Sequence, residues 1–459
     1  RGAIDETDYG LRGFLHRQMT RAGGLAALGL VRGDRVVVQF PNRAEFVTLF
    51  FALCRLGVVP VLALPGHRDL EIGQFADFTG ARAVLTVQEP DGHDMVGLAR
   101  RVQDRCPSVR HVVVLGDSRG ATPFDSLFRA DVPLPAGPNC EDVACFQISG
   151  GTTGVPKLIP RRHMEYLYNI RMAVAAGGLD GDTRYLCVLP MMHNFPMACP
   201  GFLGTLMAGG TVVVAPEPEA GICFDLIARH RVTATALVPP LALLWLDAQA
   251  GLGADLSSLQ LLQVGGAKLN PSSARRIRPE LGCQLQQVFG MAEGLVCFTA
   301  PTDSEERIVN TQGRPMSPWD ELRIIRPDRR EAAIGEPGEL QVRGPYTIPR
   351  GPCRRGAGRA TGVCQAGGQR LIVLGLRKAG QHRLDRRSDL PDLGRAVAVG
   401  AMAHHDAQTG GLARHVLDDL ELQAKKRLGL VRVDLPVFDA TCRTSTRWRR
   451  SSGSGRGSG

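Results

Sequence analysis

Between Arg35 and Phe289, short β-branched runs alternate with stretches of helical periodicity, and that alternation restricts the fold more than any other feature of the chain. The strand candidates are Arg35–Phe40, Val58–Leu64, Ala83–Thr86, His111–Leu115, Ala144–Ile148, Tyr185–Leu189, Thr211–Ala215, Thr235–Val238, Leu259–Val264 and Gln284–Phe289. Helix candidates fall between them, at Ala44–Leu56, Phe224–His230, Leu241–Gln249 and Pro271–Arg278. Strands that read as near-continuous apolar runs are covered on both faces, and strands joined through helices lie parallel. The expected fold is therefore α/β, with doubly wound sheets. Around Glu321–Arg343 the pattern shortens to two strands, ELRII and GELQVRG, joined across the turn-rich Gly335-Glu336-Pro337-Gly338. That predicts a small β subdomain over 314–348.

Charge divides the chain unevenly. The formal net charge of +10 arises in the stretch from Gly351 to Gly459, which holds 20 Lys and Arg against 9 Asp and Glu. The residues before it carry 35 against 36, so whole-chain basicity gives no argument for a nucleic-acid partner. The same stretch has 17 Arg, 3 Lys, two aromatics (Phe438 and Trp448) and no Tyr, a composition that predicts little packed structure. Apolar runs such as Val58–Leu64 fall far short of the ~20 residues that cross a bilayer, and no secretory signal pattern is present, so no membrane association and a cytoplasmic location are expected. Twelve cysteines lie scattered without a C-x-x-C pair, which predicts reduced thiols rather than disulfides or a zinc site.

The segment Ser149-Gly150-Gly151-Thr152-Thr153-Gly154-Val155-Pro156-Lys157 follows the strand candidate ACFQI directly. Glycines let backbone N–H groups turn inward, hydroxyls add donors and the lysine adds a positive charge, a combination suited to a polyphosphate. No G-K-[ST] follows at the Walker spacing, which disfavours a kinase or GTPase. The pair His193-Asn194, beside Phe195, sits in a Pro-rich loop after the strand candidate Tyr185–Leu189, where the carboxyl end of a parallel strand opens onto a ligand crevice.

The strings SGGTTGVPKLIPR, LPMMHNFPMACPG, LLQVGGAKL, QLQQVFGMAEGLV, TQGRPM and GELQVRGPYT, in this order, resemble the aryl acid-activating AMP ligases of siderophore biosynthesis, the salicylate and 2,3-dihydroxybenzoate adenylating enzymes of the adenylate-forming superfamily. The resemblance runs from Gly24 to Thr347 and implies an α/β adenylating core over 24–313. It implies ATP and Mg²⁺ as cofactors, an aryl acid whose carboxylate attacks the α-phosphate with release of pyrophosphate, and transfer of the acyl group to the phosphopantetheine thiol of an aryl carrier protein. Both reactants are anionic, so such a site must neutralise charge and align groups.

By that resemblance Ser149, Gly150, Gly151, Thr152, Thr153, Gly154 and Lys157 hold phosphates, and Glu293 is the Mg²⁺-associated carboxylate, a hard oxygen ligand. Gly265, Gly266 and Ala267, with Val288, Phe289, Gly290 and Met291, flank the adenine and the reacting carboxylate. His193 lies beside that carboxylate, Asn194 meets the ortho hydroxyl of the ring, and Phe195, Cys199, Val288 and Val296 line the aryl pocket. Cys199 stands where dihydroxybenzoate enzymes carry Ser and salicylate enzymes carry Cys, and a thiol is a weak partner for a second ring hydroxyl. This favours salicylate, although Val296 is smaller than the residue salicylate enzymes often place there.

After Tyr346-Thr347 the family pattern stops. Members continue with R-G-Y-Y, a T/S-G-D motif whose Asp holds the ribose, a hinge and a lid domain with a catalytic lysine, whereas this chain reads IPRGPCRRGAG. A one-base frameshift in a GC-rich gene produces such a switch, and the segment 349–459 is expected to be poorly ordered. Residues 1–23 match the family poorly. Two functional readings stay open: an active aryl-AMP ligase, and a remnant that binds nucleotide and aryl acid without turnover.

Overall fold

Valine-rich segments form the strands because β-branched side chains pack well on a pleated surface buried on both faces. The structure, a computed structural model, describes residues 10–89, 92–149, 157–333, 336–348, 364–373 and 399–401. A first seven-stranded sheet contains β1 (Arg35–Gln39), β2 (Val59–Leu62), β3 (Ala83–Gln88), β4 (His111–Gly116), β5 (Thr122–Pro123), β6 (Val143–Ser149) and β7 (Lys157–Arg162). Its order is β5-β4-β3-β1-β2-β6-β7, parallel except for β7, which turns back along β6. A second contains β8 (Arg184–Cys187), β9 (Thr211–Val214), β10 (Ala234–Leu237), β11 (Leu261–Val264), β12 (Gln284–Gly290), β13 (Val296–Phe298) and β14 (Arg314–Pro315). It runs β14-β13-β12-β11-β10-β8-β9, with β13 alone running against the other strands. The doubly wound α/β expectation is met twice.

Helices fill the space between strands. Ala44–Leu56 has ten buried residues, among them Phe46, Phe50 and Phe51, and ends on Gly57 at φ +74°, a left-handed turn that glycine adopts without strain. One core cluster joins residues of both sheets, including Val36, Leu62, Tyr185, Phe195 and Val288. A second lies around Phe224 and Trp245, whose rings meet edge to face at 5.1 Å.

Several elements were not legible in the sequence. Lys157, read as the end of a phosphate loop, opens a strand that runs to Arg162. Helix Leu11–Ala27 runs across the boundary drawn at residue 23, and its Gly23 and Gly24 lie against the backbone of Arg129 and Leu127, where a Cβ would come within 2.1 Å. In the small β subdomain, β15 (Glu321–Ile325) and β16 (Pro337–Arg343) pair antiparallel, but Pro337 and Gly338 belong to the strand rather than the turn. A proline is tolerated as the first residue of a strand, where its missing N–H costs least. Of the stretch 349–459, β17 (Cys364–Val373) and β18 (Val399–Ala401) are described and extend this third sheet. Pairing onto an open strand edge uses backbone groups and needs no aromatic residue. The expectation of disorder for the rest of that stretch lies outside the described residues.

Candidate active site

In the second sheet the chain leaves β8 toward β9 on one side and returns as β10 on the other, so the winding reverses between β8 and β10. Ligands of open α/β sheets bind beyond the carboxyl ends of the strands at such a reversal. The segments after β8, β11 and β12 carry, in turn, His193–Cys199, Gly265–Ala267 and Met291–Glu293, and thus meet on one edge.

The loop after β8 is held from the first sheet. Asn42, just beyond β1, donates through Nδ2 to the carbonyls of Val188 and Leu189, both at 3.1 Å, and accepts from the Met191 N–H at 2.8 Å. His193 is exposed to solvent and yet densely surrounded by protein, as a side chain in a recess is; desolvation there lowers its pKa. Its Nδ1 accepts from the Phe195 N–H at 3.2 Å, which leaves the neutral ring's proton on Nε2 as a donor.

Asn194 is 7% exposed, accepts through Oδ1 from Tyr166 Oη at 3.0 Å and places Nδ2 at 3.5 Å from Cys199 Sγ. Tyr166 in turn accepts from Gln147 Nε2 at 3.1 Å. Burial pushes the Cys199 thiol up to about 12, against the opposing influence of Arg161, so it stays protonated and uncharged. Phe195 packs its ring against Gly265, where a Cβ would fall 2.8 Å from the ring. Gly266, at φ +80°, and Gly290 are exposed, and nothing comes within 3.7 Å of a Cβ built on Gly290. Together these glycines form a cradle bordered by the side chains of Phe195, Val238 and Val296. Ala267 and Met291 border it, exposed and half-buried respectively.

Strand pleating separates two residues predicted to act together. Val288 packs in the cluster of Phe195, Cys199 and Val296, whereas Phe289, facing the opposite way, packs with Ile159, Leu295 and Leu340. Glu293 is half-buried, and its carboxylate forms no hydrogen bond or ion pair among the described residues. Its backbone is clamped instead: Ile348 N–H donates to the Glu293 carbonyl at 2.9 Å, and Arg161 Nη1 donates to the Ala292 carbonyl at 2.7 Å. A lone free carboxylate fits Mg²⁺, which keeps waters and phosphate oxygens as its other ligands. Among the described residues no cluster of three or more His, Cys, Asp or Glu gathers, so a site built wholly from protein ligands is not formed there.

Of the loop expected to hold phosphates, only the two ends lie among the described residues. Ser149 closes β6 opposite Lys157, which opens β7. Gly150, Gly151, Thr152, Thr153 and Gly154 lie outside the described residues, as does the Ser149 side chain. Sequence reading missed Asn42, Gln147, Tyr166 and Arg161. Arg161 is 1% exposed, with its guanidinium 5.1 Å from the Tyr166 ring centre and with Nε and Nη2 unpartnered among the described residues. The string KLIPR contained it, but nothing in one dimension marks an arginine as buried.

The fold is that of an open α/β domain with a crevice beyond the carboxyl ends of its second sheet. A family model described as AMP-binding enzyme matches residues 12–350, and the chain belongs to that family. The chain is 53% identical over 335 residues to pyochelin synthase PchD of Pseudomonas aeruginosa, covering 73% of this chain and 61% of that one. It is 50% identical over 333 residues to the 2,3-dihydroxybenzoate-AMP ligase of Bacillus subtilis, covering 72% and 62%. The apo structure of Mycobacterium smegmatis MbtA superposes with a TM-score of 0.74 at 42% identity, covering 80% of this chain and 68% of that one. The chain thus spans about three fifths of the length of the curated relatives it matches. Among the described residues no helix is long and apolar enough to cross a membrane.

Proposed function

We propose that this chain forms the nucleotide- and acid-binding part of an aryl acid-AMP ligase that supplies an aryl carrier protein in siderophore biosynthesis, with salicylate preferred over 2,3-dihydroxybenzoate. The observation that carries the reading is the buried set Tyr166, Asn194 and Cys199 beside the glycine cradle. Asn194 can meet an ortho oxygen, and the His193 Nε2 proton is available to an anionic oxygen. ATP would lie along Gly265–Ala267 with its phosphates toward Lys157 and the loop before it, and Mg²⁺ at Glu293 would neutralise phosphate charge. A protonated, buried Cys199 thiol offers a second ring hydroxyl little, so that hydroxyl would lose its water uncompensated, at about 1–3 kcal/mol.

Calorimetric titration of both acids is the test. Salicylate is expected to bind about tenfold or more tightly, and Cys199→Ser to narrow or reverse the gap. Equal affinities in both proteins remove Cys199 from the argument. A second reading, binding without turnover, rests on the lack of a T-G-D motif and lid lysine in the text after Thr347. Salicylate-dependent ATP–pyrophosphate exchange at about 1 s⁻¹ or faster eliminates it.

A further inference from the structure

We infer that Gln147, Tyr166 and Met197 are positioning residues that make the pocket select an ortho oxygen over an ortho amine on the aromatic acid. This rests on the aryl acid reading above and adds to it a fixed hydrogen-bond direction.

The direction starts at a thioether. Met197 Sδ has no proton to give, and it lies 3.2 Å from one end of the Gln147 carboxamide, so that end must be the NH₂ group. The same Nε2 lies 3.1 Å from Tyr166 Oη, which therefore accepts. The single hydroxyl proton of Tyr166 then points to its other neighbour, Asn194 Oδ1, at 3.0 Å. With its oxygen engaged, Asn194 turns its NH₂ group the opposite way, toward Cys199 Sγ at 3.5 Å, and one N–H has no partner among the described residues.

Burial keeps the chain from reversing. Gln147 and Tyr166 are each 1% exposed, so water cannot replace a lost partner. Turning Asn194 over would aim its NH₂ at a hydroxyl already accepting from Gln147 and would strand the Tyr166 proton, leaving an unmet buried donor. The three elements involved, β6, the helix His163–Gly177 and the short helix Asn194–Ala198 that the structure forms where the sequence suggested a loop, share one packed core, which fixes their spacing. The pocket therefore presents a donor at Asn194. A ring hydroxyl or phenolate has lone pairs to meet it. An aromatic amine has its lone pair drawn into the ring and offers two N–H donors, which face the Asn194 donor without an acceptor between them.

The intact chain is titrated calorimetrically with salicylate and with 2-aminobenzoate. The wild-type protein is expected to prefer salicylate by about tenfold or more. Tyr166→Phe frees Asn194 to turn over, and the preference falls to within about threefold. Gln147→Leu and Met197→Leu, which remove the start of the chain by different routes, are expected to move the ratio the same way and keep the inference testable if one variant does not fold. If both acids weaken equally in the folded variants, so that the ratio stays put, the three residues act only as packing and the inference is overturned. Wild-type protein that binds both acids equally also overturns it, while leaving the aryl acid reading intact. Binding of neither acid overturns both.

Discussion

Both seven-stranded sheets reverse their winding, the first between β1 and β3 and the second between β8 and β10, and both therefore open a crevice at the carboxyl ends of parallel strands. In the first sheet that edge holds a cavity of about 530 Å³ lined by Arg43, Gln88, Glu89, Gly116, Asp117 and Arg119. Its charges answer one another: Arg43 pairs with Glu89 at 3.0 Å, and Arg119 pairs with Asp94 at 3.0 Å and Asp117 at 3.3 Å. In the second sheet the corresponding edge holds buried amides, a Glu293 carboxylate unpaired among the described residues, and glycines whose missing side chains leave room. The same topology yields a self-satisfied surface in one place and a set of unmet groups in the other. Winding decides where a site can be, and the balance of donors, acceptors and charge decides whether there is one.

The largest effects should come from the turns that shape each edge. Gly294 sits at φ +145° with a Cβ position 2.4 Å from Thr347 Cα, and Gly116 sits at φ +95° with one 2.4 Å from the Gln88 carbonyl oxygen. Substituting either by Ala is expected to cost more than about 2 kcal/mol in denaturant unfolding. Only Gly294→Ala should also abolish binding of ATP with Mg²⁺, because it displaces Glu293. If Gly116→Ala removes nucleotide binding too, the contrast between the edges fails.

A contrast of carboxylates gives the next effect. Those of the first edge are exposed beside arginines, whereas Asp320 is partly buried and its carboxylate accepts from the Tyr346 hydroxyl at 2.6 Å and from the Ser317 backbone. Desolvation raises its pKa to about 7, with the Tyr346 hydrogen bond opposing. The folded state thus holds this proton more tightly than the unfolded chain, whose carboxyl titrates near ~3.9, and stability should fall as pH rises from about 4 to 7. Asp320→Asn keeps an acceptor for Tyr346 and removes the charge. Its melting temperature should gain on the wild type between pH 5 and pH 7 and level off above; a constant difference across that range would mean that Asp320 does not titrate there.

The smallest effects sharpen the comparison most finely. Asn42→Ala, which removes three hydrogen bonds from the loop after β8, is expected to weaken salicylate binding about tenfold. Its neighbour Arg43→Ala breaks an exposed ion pair and should change stability by about 0.5 kcal/mol or less, with binding unchanged. Comparable losses of salicylate binding in the two variants would show that Asn42 has no special hold on the site.

The sequence by itself determined the alternation of strands and helices, because buried parallel strands and amphipathic helices leave different periodicities in any chain. It also marked the motif positions from Ser149 to Tyr346, and it located Ala44–Leu56 and Glu321–Ile325 to the residue. Helices such as Met95–Arg105 and His163–Gly177 escaped, as did the short strands Val296–Phe298 and Arg314–Pro315, whose partners lie elsewhere in the chain. Only the tertiary structure decided that Val288 and Phe289 enter different cores, that Arg161 is buried against Tyr166, and that Asn42, from the first sheet, holds the loop carrying His193 and Asn194 in the second. Periodicity is a property of neighbours along the chain, whereas the direction of a hydrogen bond at Asn194 depends on Gln147, Tyr166 and Met197, which three separate elements bring together.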